Sequence, residues 1–372
     1  MDITNGRANE MDFDLKLFWQ ENEQCFGRFS TDKPRVPLFF ILEDHFLIHL
    51  VSEISTKKYY ADPGYALDMH VRANNFLESE IGIRYYPEDK FHYVKGAFEV
   101  RMGTKRVIQE GSTPWLESEV EDIEDVKKII AFAEKWDARS MAIPEQWLSV
   151  KEKLRSEKNK QLLFAHMPNG PATVACNILG TTNTCMFIME EPEVMDDFFA
   201  VMAEKYVEFN EVAMQEDLGH VIRESLCIND DNCYLFPPKQ YERFCVPFIQ
   251  KLIDAFAPAK EHLRRQHSDS DMGHLMRFLN ELGINEVNFG PELDVKDIRA
   301  AMPKAIIHGH TPPFILRNGT SEEIASCVKR TFECVGGDGG LVESLSGVVP
   351  ESTPMENIRA YMHAVHRLTR YR

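Results

Sequence analysis

The stretch "HLRRQHSDSDMGHLMRFL" sets His267 two residues before Asp269, where an apolar–polar run gives way to a helical pattern. An imidazole and a carboxylate at that spacing can hold a metal ion or deliver a proton to a leaving group. They can also do local work, because Asp269 or Ser270 would cap the helix that follows. Asp230 and Asp231 follow another apolar run. Of two crowded carboxylates one holds its proton to higher pH, which makes a proton donor near neutrality; the alternative is a turn. His308 and His310 share a face of an extended chain, although Pro312-Pro313 turns that chain soon afterwards. Glu343 lies inside the apolar run "LVESL". A carboxylate there is costly unless paired, so it is either a ligand or half of a buried pair. His45 and Asn169 close two further runs and, with His310, are the candidate substrate-binding residues. Cys327 and Cys334 have core-face helical spacing and read as packing.

The elements that must position these groups form a regular series. From about residue 160, short apolar runs alternate with helical patterns: "QLLFAH", "HVIRESLCI", "HLRRQH", "INEVNFG", "AIIHGH" and "LVESL" read as strands. The spacing predicts a helix over 192–219, with Phe198, Met202, Tyr206, Phe209 and Ala213 on its apolar face and Gly219 as its stop. Asp294 predicts a cap, and Thr320 with Glu323 a capping box. Sustained βα repetition implies parallel strands with right-handed crossovers. The expected fold is an α/β (β/α)8 TIM barrel formed by one domain over 1–372. Its additions are an N-terminal extension over 1–35, helical in part, and a β-hairpin over 91–108; "VPLFFIL" (36–42) is the first barrel strand. Such barrels carry their chemistry at the carboxyl ends of the strands. Those ends carry Glu43-Asp44-His45, His166-Met167-Pro168-Asn169, Asp230-Asp231-Asn232, His267-Ser268-Asp269, Asn288, His308-Gly309-His310 and Glu343-Ser344.

The net charge of −17 excludes a general nucleic-acid surface. No apolar run approaches a membrane span, and the N-terminal residues lack the pattern of a secretory signal. The cysteines are scattered and form no C-x-x-C pair, so reduced thiols and a cytoplasmic location are expected.

The second half resembles the uroporphyrinogen decarboxylase superfamily. The resemblance is carried by "NGPATVACNILG" (169–180), "INDDNCYLFPPKQYERFCVPFIQKLIDAF" (228–256), "RQHSDSDMGHLMRFLNELGINEVNFGPELDVKDIRAAM" (265–302), "HGHTPPFILRNGTSEEI" (308–324) and "VVPESTPMENIRAYMHAVH" (348–366). It implies the barrel, and either decarboxylation or corrinoid-dependent methyl transfer. The decarboxylases carry a motif similar to Met-Arg-Gln-Ala-Gly-Arg after the first strand. Here that place reads Leu42-Glu43-Asp44-His45-Phe46-Leu47, and acids in place of arginines disfavour a substrate rich in carboxylates. Thiol-methylating members bind zinc through a His-x-Cys pair and a later cysteine. Here the pair is His267-Ser268-Asp269, and Ser346-Gly347 stands at the later position. What remains is similar to the methyl donor:corrinoid protein methyltransferases of the O-demethylase type. That resemblance implies a methyl donor such as an aryl methyl ether and a corrinoid (cobalamin) presented by a small partner protein. It implies catalytic roles for Asp230, Asp231, His267 and Asp269. Zinc, if used, would fall to His267, Asp269 and Glu343, harder ligands than thiolates. Two other readings stay open: a metal-free decarboxylase anchoring its substrate through Arg223 and Arg265, and a non-catalytic ligand-binding barrel.

Overall fold

The computed structural model describes residues 13–27, 29–92, 97–143, 145–164 and 168–371. Its strands are, in chain order, β1 (Lys90–His92), β2 (Lys105–Val107), β3 (Trp115–Glu117), β4 (Gln161–Leu163), β5 (Ser225–Asn229), β6 (Leu263–Ser268), β7 (Glu286–Phe289), β8 (Ile306–His308) and β9 (Leu341–Val342). The chain groups into two compact units. A central unit comprises Glu53–His70 and Pro87–Glu286, and a terminal unit the stretch up to Ser52, Val71–Tyr86 and everything from Val287.

In the central unit β1 runs parallel to β4, and β5 parallel to β6 with Asn229 opposite His267. Asn169 extends this row through a parallel bridge to Asn229. The long helix Pro192–Leu218 buries Phe198, Met202, Tyr206, Phe209 and Ala213, the face its periodicity predicts, and ends at Gly219 with φ +75°. Each large apolar side chain removed from water there contributes about 1.5–3 kcal/mol. Arg264 fixes the start of β6 by donating to the carbonyls of Ala257, Pro258, Ala259 and Leu282. The carbonyl-rich ends of helices Val246–Phe256 and Met276–Glu281 favour a cation there.

In the terminal unit β7, β8 and β9 are successive neighbours, and β8 and β9 are parallel. The segment expected as the first strand is no continuous strand. It lies along the β9 end through Phe39 N–H to Glu343 O (2.9 Å), Glu343 N–H to Pro37 O (2.8 Å) and a parallel bridge at Leu38. The Asp294 cap on helix Val295–Ala301 and the Thr320–Glu323 capping box on helix Ser321–Val335 form as expected.

The segment 91–108 differs from the expected hairpin. It carries the end of β1, a short helix Phe98–Arg101 and β2, and the antiparallel partner of β2 is β3. Alternation of apolar and polar residues over "FHYVKGAFEVRMGTKRVI" suggested one strand pair. A four-residue helix is too short to impose its own period on the sequence. Among the described residues no single helix is long and apolar enough to cross a membrane.

Candidate functional site

The carboxyl ends of β5 and β6 bring three of the sequence candidates, Asp231, His267 and Asp269, together. Backbone bonds set the level of the two ends: Asp230 N–H donates to His267 O at 2.9 Å, and Ser268 Oγ donates to Asp230 O at 3.0 Å. Asp269 N–H donates to Asp231 Oδ1 at 2.7 Å. His267 Nε2 lies 3.3 Å from Asp269 Oδ1, with the histidine 15% and the aspartate 40% exposed. A half-open pair of this kind adds little stability, so its effect is to orient the imidazole. Crowding by surrounding protein atoms raises the Asp231 pKa, and Asp269 adds to the rise. The Asp269 N–H and His267 oppose it. An imidazole flanked by two carboxylates can hold a proton and release it to a developing anion.

Asp230 faces away from this cluster. Strand alternation turns it toward helix Pro171–Leu179, where it is fully buried. Its Oδ1 accepts from Thr173 N–H at 2.8 Å, so the carboxyl caps that helix from another part of the chain. A Cβ on Gly170 would collide with the Asp230 carboxyl group, which makes glycine the residue that permits the approach. Among the described residues Oδ2 has no hydrogen-bond partner. Burial, opposed by the Thr173 bonds, pushes the carboxyl up to about 7. Asp230 therefore holds a proton near neutrality, as expected of a crowded acid, but burial is the first cause and Asp231 a lesser one.

Asn169 sits at the level of Asn229 and His267. Its Nδ2 donates to Glu99 Oε1 at 2.7 Å, and its backbone N–H donates to the Tyr206 hydroxyl at 2.6 Å. Glu99 is buried on helix Phe98–Arg101, and no pattern in the sequence marks it. His166 and Met167, at the expected end of β4, lie outside the described residues.

The remaining candidates belong to the terminal unit. His45 lies on helix Asp44–Leu50 with Nδ1 3.6 Å from Glu43. β8 ends at His308, and His310 turns its Nε2 to Leu293 O at 2.7 Å. Burial lowers the His310 pKa, so its imidazole is neutral; its buried Nδ1 has no hydrogen-bond partner among the described residues. Glu343 is fully buried, with Oε1 accepting from Thr311 at 3.1 Å and from Tyr361 at 3.2 Å, while Oε2 has no partner among the described residues. Burial raises its pKa well above the carboxylate range, so Glu343 is a neutral acid tied to helix Met355–Leu368.

The Uroporphyrinogen decarboxylase (URO-D) family matches residues 98–368. The chain belongs to the uroporphyrinogen decarboxylase family. Among solved structures it is similar to a methyltransferase from Methanosarcina mazei, at 15% identity and TM-score 0.62, covering 95% of this chain and 98% of that one. This likeness establishes a URO-D-like α/β fold. A B12-independent methionine synthase from Shewanella sp. W3-18-1 in complex with selenomethionine aligns at 10% identity and TM-score 0.42, covering 84% and 88% of the two chains. No curated protein matches the sequence.

Zinc-binding members of the family need several donors turned to one point. Among the described residues no three His, Cys, Asp or Glu side chains are so arranged. His267 and Asp269 lie within ion-pair distance of each other, and Glu343 is committed to two hydroxyls. This arrangement does not fit a preformed zinc site, and the chemistry below uses a proton.

Proposed function

We propose that the chain is a methyltransferase that takes a methyl group from a small donor, such as an aryl methyl ether, for transfer to the cobalt of a corrinoid. The reading includes closure of the parallel strands into a (β/α)8 barrel, with β5 and β6 delivering the reacting groups. One observation carries the choice over decarboxylation: Arg223 and Arg265, the two arginines named as candidate carboxylate anchors, are already engaged. Arg265 is held by Glu286 at 2.7 Å, and Arg223 lies at the surface, bonded to Glu211 and Ala255 O. Acids dominate the open end of β5–β6 instead, a poor setting for an anionic substrate.

A corrinoid carried by a partner protein supplies the nucleophile that accepts the methyl group. Apolar surface that such a partner would cover stands exposed on Tyr234, in the turn after Asp231, and on Met186 and Met189 of helix Thr181–Glu190. The protein's own task is the leaving oxygen. As the C–O bond breaks, its electron pair stays on oxygen, and His267 delivers a proton there to form the alcohol. Asp231 and Asp269 stabilise the imidazolium before transfer and orient its ring. Removing such an acid costs roughly 10²-fold or more in rate. Single-turnover demethylation by His267→Ala, compared with wild type in the presence of a corrinoid protein from the same organism, tests this role. A rate reduced at least about 100-fold in a folded variant supports it; an unchanged rate contradicts it.

A further inference from the structure

Between β4 and β5 lies a cavity of about 320 Å³ whose lining belongs wholly to the central unit. Its walls are chiefly apolar: Leu163 of β4, Met214 and Leu218 of helix Pro192–Leu218, Ile222, Leu226 of β5, and Phe256. Leu218 is 45% and Ile222 36% exposed, so two large apolar side chains of the lining stand in water. Scattered exposed apolar residues are ordinary. Two that flank a concave apolar pocket mark surface that a ligand can cover. An apolar cavity of about 150 Å³ holds benzene, so this one takes a chain or ring of roughly ten carbons.

The charged groups of the lining differ in what they can offer a ligand. Asp217 is committed within the protein: its side chain is 1% exposed, Oδ2 accepts from Phe164 N–H at 2.6 Å, and Oδ1 pairs with Lys151 at 2.8 Å. Lys90 is exposed on β1, and no hydrogen bond or ion pair engages its ammonium among the described residues. The register of β1 sets His92 opposite Leu163, and Lys90, two residues earlier, shares that face. An unpaired cation thus borders an apolar pocket in a chain of net charge −17. Ser225, Leu226 and Cys227 place the cavity along the amino-terminal half of β5. From Cys227 to Asp231 the extended chain covers about 13 Å, so the cavity lies apart from the His267 cluster.

We propose that this cavity is a second ligand site, which binds an alkanoate of about eight to ten carbons with its chain against the apolar lining and its carboxylate at Lys90. The chain displaces water from Leu218 and Ile222, and each methylene that enters strengthens binding about three- to fourfold until the cavity is full. The ion pair at the open rim adds a smaller factor, about two- to fivefold. Affinity therefore comes from the lining, and the sign of the preferred charge from Lys90. A cationic amphiphile of the same length meets like charge at that rim, and a neutral one gains only the burial of its chain.

Isothermal titration of the full chain at pH 7 with hexanoate, octanoate, octan-1-ol and octylammonium, each below its micelle-forming concentration, tests the site without any corrinoid. Affinity should rise about tenfold from hexanoate to octanoate. Octanoate should bind at least about fivefold more tightly than octylammonium, against the preference that the net charge of the chain would impose. Lys90→Gln should weaken octanoate about two- to fivefold and leave octan-1-ol unchanged. Ile222→Glu, at an exposed position, sets a carboxylate beside the lining and should weaken octanoate about tenfold or more. Circular dichroism checks that both variants fold, and either carries the test where the other does not. No binding of octanoate to the folded protein, octylammonium binding as tightly as octanoate or more so, or an octanoate affinity unaltered in either folded variant, overturns the proposal.

Discussion

Replacing Asp230 with asparagine should stabilise the protein at pH 8 and do so much less at pH 5. Burial moves the Asp230 carboxyl from the usual range near 3.8 to about 7. That is roughly three pH units at about 1.4 kcal/mol each, so the ionised group costs on the order of 4 kcal/mol in the folded state. The sign follows from proton linkage. The folded chain binds this proton more tightly than the unfolded chain, so the stability it contributes is full below about pH 4 and is lost as pH rises through about 7. Asparagine keeps an oxygen for the Thr173 N–H but carries no charge. It forgoes the attraction of a carboxylate to a helix N-terminus, about 0.3–1 kcal/mol. The net gain at pH 8 is about 3–4 kcal/mol. Urea unfolding of wild type and Asp230→Asn at both pH values measures the difference. Loss of stability in the variant at pH 8, exceeding any loss at pH 5, would refute the reasoning, because the ionised carboxylate would then be the form the fold requires.

Three further outcomes follow from the packing. Gly170→Ala should destabilise the protein by about 1–3 kcal/mol in denaturant titration, because the new methyl group drives the Asp230 carboxyl off the helix it caps. Glu343→Gln should be nearly neutral at pH 7, since the native side chain is already uncharged. Glu343→Ala should cost about 2–4 kcal/mol by leaving a cavity and unpaired hydroxyls on Thr311 and Tyr361; thermal melts of the two variants separate these effects. Asp231→Asn should slow single-turnover demethylation roughly tenfold without loss of fold, because the imidazolium at His267 loses one stabilising charge; an unaffected rate would remove Asp231 from the mechanism.

The parts of this molecule legible in its sequence are those set by local periodicity. Phe198, Met202, Tyr206, Phe209 and Ala213 mark their helix because burial imposes a 3.6-residue period over many turns. The ends of β5 and β6 were legible for a related reason: an apolar run must stop where the chain reaches the polar end of a sheet, and Asp230 and His267 mark that stop. What strand alternation alone left open was which carboxylate turns inward. Asp231 joins His267, while Asp230 is drawn behind the strand by the donors at the start of helix Pro171–Leu179. Glu99 was invisible because its value depends on Asn169, far along the chain, and its four-residue helix sits in a segment that alternates like a strand. The alignment of Asn229 with Asn169 and His267 is a fact of register that periodicity does not contain.

The central claim is methyl transfer to cobalt. Its most direct measurement is an anaerobic incubation of the purified chain with a reduced corrinoid protein from the same organism and methoxylated donors carrying a ¹³C-labelled methyl group. The account predicts that the label moves from oxygen to the corrinoid, with one equivalent of demethylated product for each methyl group transferred, and that His267→Ala abolishes most of that flow. Label that stays on the donor, together with carbon dioxide released from carboxylic substrates by the chain without any corrinoid protein, would contradict it.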